Sequence, residues 1–478
     1  MLVFTTHEKL NANAGNLLLS LPSRNVGLAG RFTYNFKKRY FAEFNFGYNG
    51  SERFSKNHRW GFFPSIGTAW VMSNERFFKG IKKYVNNLKF RYSYGLVGND
   101  IIGSSTDRFF YLSSINMDFG GTAMRFGKLG EEIQNGIYIT KYADDNITWE
   151  KSYKQNFAVE LGLFNKLDII AEYYTERRTN LLMSRSYITH EMGLTADVRA
   201  NVGEASAHGF DLQANYQQNW NRFFWTSARV NFTYARSKYI IFDEPTYKEW
   251  YRFHEGRPLG QAFGYIAERL FVDDAEARNS PVQTFGGEYG GGDIKYTDVN
   301  DDGQITAADM VPIGNPTSPE IIYGFGVSMG YRGFDFSVFF QGMGNKSFFI
   351  DPGSITPYYN ETQLLKAIAN DHWSETNQNE YALFPRLTYG YLNKNNIQRS
   401  TWWMRDGTFL RLKQAEFGYT LPRKWTDKMR IDNLRFYVSG TNLFTWSRFK
   451  TWDVELSGNA FNYPIQRVVN LGVNITFK

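Results

Sequence analysis

Apolar side chains fall on every second position near the end of the chain: Val469, Leu471, Val473, Ile475 and Phe477 alternate with Asn470, Gly472, Asn474 and Thr476. Successive side chains on a strand point to opposite faces, so this spacing predicts a strand with one apolar face and one polar face. The pattern recurs upstream. Phe334, Phe336, Val338 and Phe340 oppose Asp335, Ser337 and Gln341, and Leu167, Ile169, Ala171 and Tyr173 oppose Asp168 and Glu172. Ala228, Val230, Phe232 and Tyr234 oppose Ser227, Arg229, Asn231 and Thr233, while Leu434, Phe436 and Val438 oppose Arg435 and Ser439. Many two-faced strands of about ten residues are what a transmembrane β-barrel requires, one face meeting lipid and the other a wet interior.

The connections between these strands come in two sizes. Short turns lie at 36–39, 164–166, 219–222 and 331–333, with medium ones at 73–86 and 422–433. Long connections lie at 99–152, 176–205, 236–320, 345–407 and 445–466. With the last strand ending on the periplasmic side and direction reversing at every strand, all short turns fall inside and all long loops outside. This reading has 13 strands, plus a fragment of another before Asn25. Residues 1–478 are expected to form an incomplete all-β, antiparallel transmembrane barrel, with 236–320 and 345–407 as long extracellular loops.

Composition agrees with that solvent arrangement. The chain has 478 residues, and no stretch reaches the roughly 18 apolar residues of a membrane-spanning helix. Its mean hydropathy is −0.46, as expected where half the strand residues and all the loops face water. Aromatics make up 18%, fitting interfacial girdles or, in a soluble sandwich, a packed core. Cysteine is absent, which excludes disulfides, thiolate metal sites and a cysteine nucleophile. The net charge of +7 is spread out, without the clustered stripe of a nucleic-acid binder.

The sharpest local motif is a calcium-like loop in which Asp298, Asn300 and Asp302 occupy positions 1, 3 and 5. Gly303 permits the sharp turn, Gln304 offers a carbonyl, and Asp309 closes the loop where a glutamate is usual. No helical pattern precedes it, so a bound Ca2+ would stiffen an extracellular loop outside an EF-hand; an Asx-rich turn that binds nothing has the same composition. The six histidines lack metal-ligand spacing, and no nucleophile elbow, phosphate loop or dinucleotide fingerprint occurs, so no catalytic residue is assigned. Tyr358, Tyr359, Trp373, Trp402 and Trp403 are loop aromatics suited to stacking on sugar rings. Packing within the loops serves them equally, and Trp402 and Trp403 precede a strand, where a girdle is expected.

Several blocks together resemble the barrel of SusC/RagA-type TonB-dependent transporters. These are the run from Arg53 to Ser65 with Ala69-Trp70, and Leu88 to Gly95 followed by Gly98-Asn99. The calcium-like loop is followed by Ile313-Gly314-Asn315-Pro316 and by Gly333 to Gly342. Leu410 to Lys413, Gly418 to Pro422, Gly440 to Phe444 and the terminal Asn470 to Phe477 complete the set, with Lys478 departing from a terminal Phe. The resemblance implies import of glycans, oligosaccharides or peptides across a Gram-negative outer membrane. It also implies a SusD-like surface lipoprotein as partner and a TonB system acting through a plug. The start from Met1 to Leu10 lacks the features of a secretory signal, and neither a plug nor a TonB box is found. The expectation is a C-terminal barrel portion that does not transport unaided. The competing readings are a complete 14-stranded passive porin and a secreted, calcium-stabilised glycan-binding β protein.

Overall fold

The computed structural model describes residues 1–13, 20–103, 107–359, 362–388 and 392–478. A single antiparallel sheet of 14 strands organises it, each strand paired to the next in chain order. The strands are β1 (Leu2–Lys9), β2 (Ser23–Phe36), β3 (Tyr40–Ser51), β4 (Trp60–Val71), β5 (Val85–Asn99), β6 (Glu150–Leu163) and β7 (Leu167–Ser184). They continue as β8 (Arg199–Asn221), β9 (Phe224–Ile241), β10 (Ile321–Tyr331), β11 (Phe334–Gly344), β12 (Phe409–Thr420), β13 (Ile431–Ser447) and β14 (Val468–Phe477). The fragment expected before Asn25 is thus a full strand, β1. Among the described residues β1 pairs only with β2 and β14 only with β13, so the sheet is an open arc of barrel wall. No helix among the described residues is long and apolar enough to cross a membrane.

The turns follow from local backbone chemistry. Lys37 and Lys38 take φ of 52° and 54°, and Phe164 and Asn165 take 56° and 54°. Two consecutive positive-φ residues are the two-residue turn whose twist matches that of the flanking strands. Between β10 and β11 the same work falls to Arg332 and Gly333, the latter at φ 93°. Asn221 instead caps its turn, its side-chain oxygen accepting from the Phe223 and Phe224 amides at 2.8 and 2.9 Å.

Register confirms the two faces. Phe157, Tyr173, Phe210 and Tyr234 lie side by side across β6–β9 on the outward face. Phe325 and Phe340 stack at 5.0 Å on that same face of β10 and β11. The outward apolar positions of β14 are open to the surroundings, from Leu471 at 86% exposure to Ile475 at 48%. Among the described residues no second protein layer covers them, as a lipid-facing wall requires.

Two of the long connections are shorter than the alternation predicts. Residues 176–205 were expected as loop, yet β7 runs on to Ser184 and β8 begins at Arg199. Likewise β9 continues to Ile241 rather than stopping near 236. Pairing persists there because backbone hydrogen bonds do not depend on side-chain polarity. What disappears is the apolar face, with Arg177, Thr179, Arg236 and Lys238 on the outward positions. The loops themselves span 100–149, 185–198, 242–320, 345–408 and 448–467.

Candidate functional site: the wet wall and the loop layer

The inward face of the sheet carries a lattice of charges. On one side Arg91 bridges Glu160 and Glu172, both at 2.7 Å, while Lys89 reaches Glu160 at 3.2 Å. On the other, Arg435 is shared between Asp335 and Glu416. Arg31 pairs with Glu43 at 2.7 Å, and Asn45 donates to the same carboxylate at 2.7 Å. Between these clusters lies a concavity of about 600 Å³ lined by Asp168, Asn215, Ser227, Arg229, Gln414 and Glu416. Paired ions such as these let charged groups line a wall at lower desolvation cost than isolated ones.

Above the wall the long loops form a protein core of their own. Leu270, Ile294, Ile305, Ile368, Trp373, Phe384 and Trp403 pack into one cluster with Phe348 and Phe449. A smaller cluster of Phe54, Phe63, Ile102, Phe110, Ile147 and Trp149 covers another part of the rim. The two largest loops are locked by a polar hub at Asp293, which is fully buried. One of its oxygens accepts from the Asn393 and Asn396 amides at 3.1 and 2.8 Å. The other accepts from the Gly290 amide at 2.9 Å and the Arg386 guanidinium at 2.7 Å. Burial pushes the Asp293 carboxyl up despite the opposing pull of Arg386. Nearby, Gln283 donates to the Ile294 carbonyl at 2.9 Å, and the Tyr296 hydroxyl donates to the Asn395 carbonyl at 2.8 Å. The Arg269 guanidinium, aided by the Val272 amide and Lys295, holds Glu276 down at about 2 against the cost of its partial burial.

The aromatic candidates divide. Trp373 and Trp403 are only 6% and 2% exposed and belong to the core, where Trp403 donates its Nε1 hydrogen to the Asn396 carbonyl at 2.7 Å. The expectation of a sugar platform is therefore corrected for both, and that of a girdle for Trp403, since protein covers their rings. Trp402 packs half-buried against the same core. Tyr358 is 51% exposed on a residue with φ of 63°, and Tyr359 beside it is half-buried. The hub residues Asp293, Asn393, Asn395 and Asn396 escaped the sequence reading. The asparagine-rich run 393–396 was the visible signal, but composition alone reads it as a turn.

The calcium-like loop adopts the expected sharp turn, with Asp301 at φ 57° and Gly303 at φ 81°. Its oxygens face its own backbone: Asp298 accepts from the Gly303 amide at 2.7 Å and Asp302 from the Gln304 amide at 2.9 Å. Asp309 is fully buried and accepts from the Val299 and Thr306 amides, both at 2.8 Å. Among the described residues no three His, Asp or Glu groups are placed together to hold a metal ion.

No family model matches the chain. The TonB-dependent receptor P3 of Formosa agariphila is 28% identical over 95% of this chain and 45% of its own length. The TonB-dependent receptor SusC of Bacteroides thetaiotaomicron is 24% identical over 95% of this chain and 44% of its own. Among solved structures, the RagAB peptide importer in its open-open state aligns with a TM-score of 0.69 at 20% identity. That alignment covers 96% of this chain and 47% of the other, so the likeness is one of fold. The chain spans about half the length of the relatives it matches.

Proposed function

We propose that the chain is part of a SusC-like TonB-dependent transporter of the Gram-negative outer membrane, where it forms barrel wall and substrate-facing loops of an energy-coupled nutrient importer. The observation that carries this reading is the two-faced sheet, uncovered and apolar outside, ion-laced inside. The cargo class is an oligosaccharide or a peptide, both of which suit a wall rich in carboxylate, amide and guanidinium groups. Tyr358, Tyr359 and Trp402 are the loop aromatics left to contact it. A SusD-like lipoprotein above the loops and a TonB system acting through a plug complete the proposed machine. No residue here is assigned to catalysis.

Uptake of labelled oligosaccharides and labelled peptides, compared in cells with and without the gene, tests this. Loss of uptake of one class that also vanishes on dissipating the proton gradient supports the reading. Uptake that survives loss of the gradient marks a passive porin. Recovery of the chain in the soluble fraction without detergent would defeat both.

The Asp298–Asp309 loop is proposed to take Ca2+. Its side chains form no ion pair within 4 Å among the described residues, so several carboxylates stand on one turn without a counter-charge. Asp298, Asn300, Asp302 and the Gln304 carbonyl would hold the ion, while Asp309 stays with its two amides. Ca2+ is expected to raise the thermal midpoint of the loop layer, and Asp298→Asn together with Asp302→Asn to abolish the rise. An unchanged midpoint across a Ca2+ titration would leave the loop an Asx turn.

A further inference from the structure

The short connections on the periplasmic edge of the sheet share one chemistry: each carries an exposed cation. The β2–β3 turn has Lys37 and Lys38, the β6–β7 turn Lys166, the β8–β9 turn Arg222 and the β10–β11 turn Arg332. The longer β4–β5 and β12–β13 turns add Lys79 and Lys82, and Lys424 and Lys428. The carboxylates within these turns are Glu75 and Asp427, and both are taken, by Arg39 at 3.2 Å and by Lys478 at 2.7 Å. Among the described residues Lys37, Lys38, Lys166, Arg222, Arg332 and Lys424 stand in no ion pair. The opposite edge has the reverse character, since acidic residues outnumber basic ones in the loop 242–320.

Spacing and backing make these cations one surface. Neighbouring turns are two strands apart, so their tips recur about every 10 Å along the arc. That step is close to the screening length at physiological salt, about 8 Å, so the charges act as separate contact points on a line. Aromatic rings seat several of them. Arg222 and Arg332 both lie over the Phe223 ring, at 4.7 and 5.6 Å. The Arg332 amide donates to the Phe223 carbonyl at 3.0 Å, which ties the two turns together. Lys37 lies 5.0 Å from the centre of the Phe36 ring. Trp220, Phe223, Tyr331 and Trp425 are exposed along the same edge.

We propose that this edge docks on peptidoglycan, the anionic polymer that lies beneath the outer membrane. Its glycan carries stem peptides with free carboxylates at regular intervals. Cations recurring along an arc suit such a chain better than they suit a compact anion. Lys37, Lys38, Arg222 and Arg332 take the stem-peptide carboxylates through charge-assisted hydrogen bonds. Phe223, Tyr331 and Trp425 cover apolar faces of the sugars. Each exposed contact is weak, and the hold comes from engaging several turns at once. The inference rests on the outer-membrane orientation and is independent of what the protein imports.

The test uses the protein extracted from its own outer membrane in mild detergent and cosedimented with purified peptidoglycan sacculi at physiological ionic strength. Wild type is expected to pellet with the sacculi and to be released as salt is raised. Lys37→Gln/Lys38→Gln/Arg222→Gln/Arg332→Gln should bind about tenfold more weakly. Lys128→Gln/Lys248→Gln/Lys394→Gln/Lys450→Gln removes the same charge from the outer loops and should bind as wild type. Heat-modifiable gel migration verifies that each variant folds. Sacculi whose carboxylates have been converted to amides should lose the protein. Equal binding by the turn variant, or equal binding to the amidated sacculi, would overturn the proposal. Phosphatidylglycerol vesicles that strip the protein from sacculi would assign the turns to the inner leaflet and overturn it as well. A protein still in the outer membrane but indifferent to sacculi would refute this docking and leave the import reading intact.

Discussion

The sheet and the loop layer bury opposite things. In the sheet, large apolar side chains such as Leu471, Phe477 and Phe32 are the exposed ones, at 86%, 73% and 57%. In the loops, Leu270, Ile294 and Ile305 are fully buried, and the polar hub at Asp293 sits among them. One chain thus obeys two solvents. The sheet relies on lipid to cover its apolar face and closes its backbone bonds strand to strand. The loops stand in water and must build a conventional core, with most of their buried polar groups paired. The loops are thus a folded layer with a shape of its own and not a set of loose connections.

Breaking the loop core is expected to have the largest effect. Trp403→Ala removes a fully covered ring and its bond to Asn396, and should cost about 3–5 kcal/mol in the loop layer. Trp446→Ala, 51% exposed on the sheet, should cost far less. Tryptophan fluorescence during thermal unfolding in detergent reads both, and equal losses would erase the contrast between the two regions.

Next in size is Leu471→Arg on the outward face of β14, expected to cost about 2–4 kcal/mol near mid-bilayer. Asn470→Arg, one residue away on the wet face, should be nearly neutral. Urea unfolding in lipid vesicles measures the pair, and a reversed order would put the wrong face toward lipid.

The smallest effect is a pH dependence of the loop layer alone. Glu276 is held at about 2, below its ordinary 4.5, so its contribution is complete above pH 4.5 and is lost as pH falls from there toward about 2. Asp293 is shifted the other way, above its ordinary 3.8, so its ionisation weakens the fold as pH rises past that value. Glu276→Gln should therefore flatten the acid limb of the loop-layer melting curve, and Asp293→Asn the limb above it. An acid limb unchanged in Glu276→Gln would remove its pairing with Arg269 and Lys295 from the account.

How much of this was legible in the chain depends on the range of the interactions. The strands from Leu167, Phe334 and Val468 were readable because alternation is a local property. The upper ends of β7, β8 and β9 were not, because Arg177, Glu204 and Lys238 broke the apolar half of the pattern while backbone pairing went on. Trp373 and Trp403 looked like surface platforms because nothing local announces that Phe384, about 5.6 Å from Trp403, will cover one of them. The hub at Asp293 joins residues 93 to 103 positions apart, a distance no periodicity spans.

By itself, then, the order of residues determined the two-faced strands, their direction and the solvent on each side. Those follow from the period of two in a pleated strand and from turn chemistry, which act within a few residues. Only the tertiary structure decided which aromatics are core, where the loops lock together and which stretch of the outer wall turns basic above the membrane. Those depend on contacts between segments brought together by the arc of the sheet, where burial and charge are set by neighbours far away in the chain.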